Sequence, residues 1–259
     1  MSTQCPYCSS KQIHAKWQET RFWRCDSCGL HFRNPMPTPQ ELEELYAVAW
    51  SDADRHRSGT GGTTEQLANT YAYALAKEIG QQDLRNLKIM DFGAGRGDFA
   101  KALQHAGADT TCVEPFGFDY LKEQGLSVQR GLDELPAHTQ FDGIVMVDVW
   151  EHLTEPWKTM ETFAGLLRSG GWLFIATPAP LGLNARVRGD LWREARKSVH
   201  LLFPEPRTLE RMHKETGFAS WKRLKWNVRY SDNPAVAAYQ SLLQMTGLDG
   251  ELRSLAWKA

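Results

Sequence analysis

The sequence predicts an α/β fold, a Rossmann-like seven-stranded sheet with a small cysteine-rich module at its N-terminus. Three observations carry that expectation. Short apolar runs alternate with helical stretches from residue 87 onward. A glycine-rich turn, Gly93-Ala94-Gly95-Arg96-Gly97, joins the first run to the helix after it. Four of the five cysteines fall in two Cys-x-x-Cys pairs near the start. Strand–helix alternation at this spacing produces parallel strands with right-handed crossovers.

The bulk numbers exclude more than they specify. The chain has 259 residues, 42% of them hydrophobic and 24% charged, with a net charge of −1. That balance gives no global pull toward nucleic acid or a membrane surface. No apolar run reaches the length of a membrane span. The polar, cysteine-bearing opening residues do not resemble a secretory leader, so the expected location is cytoplasmic and the expected partner a small molecule, not nucleic acid. The oligomeric state stays open.

Residues 1–38 read as one unit. Cys5, Cys8, Cys25 and Cys28 form two knuckles separated by an ordinary ribbon-length loop, and Cys112 lies far downstream. Four thiolates complete a tetrahedral zinc site and leave no open position, so the expected ion is structural Zn2+ in a zinc ribbon. Gly29 permits the tight turn after Cys28. Trp17, Phe22, Trp23 and Phe32 suffice for a small core of the ribbon's own. The alternating prolines of Asn34-Pro35-Met36-Pro37-Thr38-Pro39 forbid helix and favour an extended linker.

Residues 39–80 read as a helical linker or lid. A helix opens at Thr38 or Pro39 and runs to Tyr46, with acids in its first turns where the helix dipole favours them. Residues 51–64, polar and glycine-rich, read as a mobile loop, and Thr63 or Thr64 caps a helix reaching about Ile79.

Residues 81–259 read as the main domain. Strands are expected at Leu87–Phe92, Thr110–Val113, Ser127–Gln129, Phe141–Val147 and Trp172–Ala176. Helices are expected at Asp98–Gln104 and Trp157–Leu167, with a turn at Ser169-Gly170-Gly171. The tail adds a helix at Pro206–Thr216, a strand after Gly217, a helical insert near Pro234–Met245 and a last strand near Leu252–Lys258.

The glycine turn lets a ligand approach the backbone closely, and helix-terminal N–H groups there suit a carboxylate or a phosphate. Glu114, closing the second strand about twenty residues on, suits the ribose hydroxyls of an adenosine. NAD and S-adenosylmethionine both need such a carboxylate. The glycines run GxGxG instead of GxGxxG, and Asp91 precedes them by two residues. A negative charge there would repel a pyrophosphate but suits the ammonium and sulfonium of S-adenosylmethionine.

In order, Asp91-Phe92-Gly93-Ala94-Gly95-Arg96-Gly97, Val113-Glu114-Pro115, Asp148-Val149-Trp150-Glu151-His152-Leu153 and Leu167-Arg168-Ser169-Gly170-Gly171-Trp172-Leu173 resemble the successive motifs of class I S-adenosylmethionine-dependent methyltransferases. Within that class the chain is similar to a bacterial subgroup with an N-terminal zinc ribbon. Cys28 through Pro35, His200-Leu201-Leu202-Phe203-Pro204 and Thr216-Gly217-Phe218 belong to that likeness. The resemblance implies a methyltransferase sheet with S-adenosyl-L-methionine as cofactor. It implies that Asp91, Gly93 and Gly95 hold the methionine part, Glu114 the ribose, and Pro115 and Phe116 the adenine faces. It places Gly131 and Leu132 at the adenine edge, and Asp148 and Val149 under the methionine and sulfonium.

Methyl transfer from a sulfonium is an in-line displacement, so the protein mainly aligns the acceptor and removes its proton. No cysteine follows the fourth strand, as a cytosine C5 enzyme would need. An Asn/Asp-Pro-Pro-aromatic motif for planar amines is missing, and the cysteines lack radical-cluster spacing. A hydroxyl, of a sugar or secondary-metabolite intermediate, is the favoured acceptor, with an aliphatic nitrogen or activated carbon next. His152 or His200 suits a general base, since histidine titrates near neutrality. Glu151 and His152 also read as a helix cap bonded within the fold. Asp148-x-x-Glu151-His152 with His200 is similar to a constellation of ubiquinone-pathway O-methyltransferases and small-RNA end methyltransferases. That similarity implies a second divalent metal at Asp148, Glu151, His152 and His200, lowering the pKa of an acceptor oxygen.

The stretch Arg186–Arg229 is basic, with Trp192, Trp221 and Trp226 interleaved. It reads as a solvated face, or as a cap at residues 182–199 over an anionic acceptor such as a nucleotide-sugar diphosphate. Tyr46 and the loop at 51–64 would close from the other side. Two rival readings are an RNA methyltransferase gripping substrate with the ribbon and basic face, and a donor-binding protein without turnover.

Overall fold

The computed structural model of the chain describes residues 2–46, 65–226 and 233–259. The expected loop at 51–64 with its Thr63/Thr64 cap, and Arg229, lie outside the described residues.

The chain opens with β1 (Ile13–Trp17), β2 (Phe22–Cys25) and β3 (His31–Arg33), paired antiparallel in that order. Helix α1 covers residues 39–46. Thr38 and Glu41 start it with reciprocal bonds: the Thr38 N–H donates to Glu41 Oε2 at 2.7 Å, and the Glu41 N–H donates to Thr38 Oγ1 at 3.3 Å. Then come α2 (Glu65–Glu78), β4 (Lys88–Phe92), α3 (Asp98–His105), β5 (Asp109–Val113), α4 (Phe118–Glu123), β6 (Ser127–Gln129) and β7 (Phe141–Val147). They are followed by α5 (Pro156–Leu166), β8 (Leu167–Pro178), α6 (Leu183–Arg188), α7 (Arg193–Arg196) and β9 (Leu202–Phe203). The chain closes with α8 (Pro206–Glu215), β10 (Phe218–Leu224), α9 (Pro234–Thr246) and β11 (Glu251–Lys258).

The main sheet has seven strands in the order β10-β11-β8-β7-β4-β5-β6. The five strands β8 to β6 are parallel, and β11 joins antiparallel to both β8 and β10, so the sheet is mixed. Central β7 is apolar because both of its faces are covered. The turn expected at Ser169-Gly170-Gly171 bulges out of β8: Phe141 pairs with Leu167, and pairing resumes at Gly143 with Trp172. Gly143 lies under the Trp172 indole, which any Cβ there would overlap. One face carries Tyr71, Leu75, Phe99 and Phe174; the other carries Met90, Ile144, Phe163 and Leu209.

The cysteine-rich segment departs from the expectation of a core of its own. Its sheet has a fourth strand, β9, paired antiparallel to β3 through His31 with Phe203 and Phe32 with Leu202. Trp17 and Phe22 pack with Ala185, Trp192, Ala195 and Phe203, which come from beyond β8. Three short strands bury too little apolar surface alone, and the later segment supplies the missing half.

Register places the functional elements on one edge. Phe92 pairs with Val113 and Asp91 with Val145, so the C-terminal ends of β4, β5 and β7 align where α/β sheets bind ligands. No helix of the described residues is long and apolar enough to cross a membrane.

Candidate active site

The turn after β4 has left-handed backbone at all three glycines, with φ of 74° at Gly93, 55° at Gly95 and 78° at Gly97. Gly93 and Gly97 are also sterically required: a Cβ at Gly93 would overlap Val149, and one at Gly97 would overlap Leu126. Gly95 differs. A Cβ there would meet nothing within 4 Å, so its surface faces open space that a ligand can fill.

Two carboxylates border that space. Asp91 is 2% exposed, and its Oδ2 has no hydrogen-bond partner. Burial first, and then the charge of Glu114, push its carboxyl up to about 7. Glu114 accepts the Gly95 N–H at 2.9 Å with one oxygen, and the Phe116 and Gly117 N–H groups at 2.9 and 3.2 Å with the other. It therefore braces the glycine turn, a role the sequence reading did not assign, and the oxygen bonded to Gly95 keeps a lone pair for a hydroxyl. Phe116, 45% exposed, stands over the opening, with Pro115 before it. Gly131 and Leu132 follow β6 at the same edge, with Leu132 packed against the main core. A buried carboxyl with one oxygen lacking a hydrogen-bond partner, an open glycine cradle and an exposed aromatic ring together fit an adenosyl sulfonium with a cationic amino group.

The second constellation starts at the end of β7. Asp148 has φ 52°, a left-handed conformation uncommon outside glycine, and turns the chain into the 3-10 segment Trp150–His152. Val149, in that turn, is the side chain packed against Gly93. Glu151 is fully buried; Thr177 donates to its Oε2 at 2.9 Å, and its Oε1 has no hydrogen-bond partner. That Oε1 lies 3.9 Å from Nε2 of both His152 and His200. The two imidazoles stand edge to face with centroids 4.7 Å apart, and His200 Nδ1 lies 3.7 Å from Glu194 Oε2. Burial first, and then the charge of Asp148, drive the Glu151 carboxyl well above its usual range. Burial, and then Lys197, hold His152 down to about 4; burial, and then His152, hold His200 well below its usual value.

One ligating atom from each of Glu151, His152 and His200 can be chosen so that all lie within 4.8 Å. The unpaired carboxylate oxygen and imidazole nitrogens fit a small divalent cation. Asp148 does not join them, which corrects the four-residue set. Asp148 is solvent-accessible at the turn after β7, and the surrounding protein, then Glu251, push its carboxyl up to about 7. The helix-cap reading of Glu151 and His152 also gives way, because both sit in the 3-10 turn and α5 begins later, at Pro156.

Tyr46 closes one side. Its hydroxyl donates to the His152 carbonyl at 2.6 Å, and its ring lies 5.5 Å from that of Phe116. Thr177, the support of Glu151, was visible in the sequence only as a strand-end threonine.

The four N-terminal cysteines converge as expected. Sγ of Cys5 lies 3.7 Å from that of Cys28, and Sγ of Cys8 lies 3.6 Å from that of Cys25. Sulfurs around tetrahedral zinc at about 2.3 Å would stand about 3.8 Å apart, so the spacing fits. Gly29 turns at φ 81° against Glu205.

The basic stretch divides between core, ion-paired and other side chains. Trp192 and Trp226 are core side chains, 2% and 7% exposed. Six of its twelve cations form ion pairs: Arg193 and Lys197 with Glu194, Arg207 with Glu205, Arg211 with Glu215, Lys214 with Glu210, and Lys222 with Glu78.

Comparison with known proteins agrees with this geometry. The family model described as "Methyltransferase domain" matches residues 63–222. A ubiquinone biosynthesis O-methyltransferase of Xanthomonas oryzae pv. oryzae is 27% identical over 150 residues, covering 53% of this chain and 60% of that protein. The chain spans about half the length of the curated relatives it matches. Among solved structures, the magnesium protoporphyrin IX methyltransferase of Synechocystis with bound SAH superposes with a TM-score of 0.58. It is 14% identical, and the match covers 86% of this chain and 100% of that one. A SAM-dependent methyltransferase of Archaeoglobus fulgidus gives a TM-score of 0.56 at 17% identity, covering 82% of this chain and 99% of that one. These two likenesses are of fold. With the family model matching most of the chain and the glycine cradle on its expected edge, this protein belongs to the methyltransferase domain family.

Proposed function

We propose that the protein is an S-adenosylmethionine-dependent methyltransferase acting on a hydroxyl oxygen of a small-molecule acceptor. The observation that carries this reading is the packing of Val149 against Gly93, which sets the acid–imidazole cluster two residues from the donor cradle. The donor, when bound, supplies a methyl group on a positively charged sulfur. Asp91 answers the donor's ammonium, Glu114 its ribose hydroxyls, and Phe116 with Pro115 its adenine. Gly131 and Leu132 flank the adenine edge, and Asp148 lies beneath the methionine part.

The acceptor hydroxyl must lose its proton as the new bond forms. Buried and uncharged, the imidazoles of His152 and His200 each keep a lone pair free for that proton. Glu151 aligns them from between. The same three side chains would hold a divalent cation, which would supply Lewis-acid activation of the acceptor oxygen. The relatives named for O-methylation support oxygen as the acceptor. Cys5, Cys8, Cys25 and Cys28 would hold a structural zinc.

The test is paired. Calorimetry with S-adenosylhomocysteine measures the donor site, and labelled-methyl transfer to a panel of phenolic and sugar hydroxyl acceptors measures turnover. Glu151→Gln and His200→Ala should keep donor affinity and lose about a hundredfold or more in turnover. Unchanged turnover in both would remove the cluster from the chemistry, and wild-type protein that binds no donor would end the reading.

A further inference from the structure

The cysteine-rich segment contacts the proposed catalytic cluster through one side chain. Arg33, the last residue of β3, directs its guanidinium at the segment between α7 and β9. Its Nε donates to the His200 carbonyl at 2.6 Å, and one terminal nitrogen donates to the carbonyls of Lys197 at 2.7 Å and Ala195 at 3.1 Å. The other terminal nitrogen donates to Thr20 in the β1–β2 turn at 2.9 Å. The guanidinium also lies over the Phe22 ring, 4.8 Å from its centre. These four bonds all go to carbonyls, which a planar fork of donors can reach together and a single ammonium cannot.

The main chain repeats the link. The Arg33 N–H donates to the Leu201 carbonyl at 2.9 Å, and the Leu201 N–H donates to the Glu151 carbonyl at 2.8 Å. Leu201 thus bridges the ribbon strand to the turn that carries Glu151 and His152. Around it, Trp17, Trp192 and Phe203 lock together, with Trp17 5.2 Å from Trp192 and Trp192 4.8 Å from Phe203. Residues 197–201 have little regular structure of their own, so these contacts fix where the His200 ring stands.

We propose that Arg33 is the positioning residue for His200, and that the cysteine-rich ribbon serves the reaction by holding this catalytic loop in register. The inference rests on the cluster being the reaction site. It goes beyond that reading by giving the ribbon a task in the chemistry instead of in substrate capture.

The experiment uses the full zinc-loaded chain with Arg33→Ala, Arg33→Lys and, as a control, Arg207→Ala. Arg207 bonds Glu205 and the Asp26 carbonyl at the same ribbon boundary, away from the carbonyls of residues 195–201 that Arg33 holds. Hydrogen exchange read by mass spectrometry should show residues 197–203 losing about tenfold or more of their protection in both Arg33 variants, with β4 and β7 unchanged. Turnover should fall about tenfold or more, while S-adenosylhomocysteine affinity stays within about twofold. Arg33→Lys should show the smaller loss, and Arg207→Ala neither effect. If Arg33→Ala fails to fold, Arg33→Lys decides the question. Unchanged exchange at 197–203 in a folded Arg33 variant overturns the proposal, as does a loss spread evenly over the whole sheet or shared by Arg207→Ala. Because exchange is read without turnover, an inactive wild type would sink the reading of the reaction while this test still stood.

Discussion

The Tyr46 hydroxyl donates to the carbonyl of His152 at 2.6 Å while its ring faces Phe116, so one side chain spans the donor and acceptor halves of the cleft. Tyr46→Phe keeps the ring pair and removes the bond to the His152 carbonyl. It should leave S-adenosylhomocysteine affinity within about twofold and reduce turnover. Tyr46→Ala removes both, and loss of an aromatic pair should weaken donor affinity about threefold to tenfold. Calorimetry and initial rates separate the two effects.

Asp91 carries a trade between fold and ligand. Its folded pKa of about 7 lies above the unfolded value of about 4, so the folded chain holds the proton more tightly. Its contribution to stability therefore worsens as pH rises from about 4 to 7, reaching a cost of order 3–4 kcal/mol above that window. Asp91→Asn should raise the melting temperature at pH 8 and abolish donor binding. In the wild type, donor affinity should fall about tenfold per pH unit below 7, because the carboxyl must lose its proton to meet an ammonium. Calorimetry in buffers of different ionisation enthalpy would register that released proton.

The glycines of the cradle should separate steric need from ligand access. Gly93→Ala combines left-handed backbone with overlap onto Val149 and should destabilise the fold by about 1–3 kcal/mol. Gly95→Ala meets no neighbour and should cost about 1 kcal/mol from backbone strain alone, while the added methyl intrudes on the donor. Urea titration against donor binding would show the two variants failing for different reasons.

Glu205 ties the ribbon to α8. Burial alone would raise its carboxyl, but hydrogen bonds from His31 and Arg24 hold it down to about 2. A depressed carboxylate stabilises above its unfolded value of about 4.3, and the gain disappears as pH falls toward the folded value. Glu205→Gln should thus cost about 2–3 kcal/mol at pH 6, and the gap to wild type should close between about pH 4.5 and 2. Equal gaps at pH 6 and pH 3 in urea melts would contradict this account.

The parts of the fold written in local pattern were legible in advance. The strands before Glu114 and Asp148 each show as a run stopped by an acid, the run through Asp91 ends in its glycine turn, and the paired cysteines state their own geometry. What escaped was carried by contacts between distant residues. That Glu114 braces Gly95 depends on side-chain reach across two strands. The tryptophans among the basic residues looked like a ligand face; Trp192 is instead half of the ribbon's core, a pairing no local period encodes. Arg33 stood in a recognised phrase without a role, since its acceptors are backbone carbonyls, which every residue possesses.

The pairing of β3 with β9 also orders events on the ribosome. All four ribbon thiols emerge before the first strand of the main sheet, whereas the carbonyl of His200 lies 167 residues beyond Arg33. At typical elongation speeds that interval lasts about ten to thirty seconds. Throughout it the exposed aromatic face of Trp17 and Phe22 waits for its cover. The edge of β3 therefore stays an open template until the segment around His200 is made.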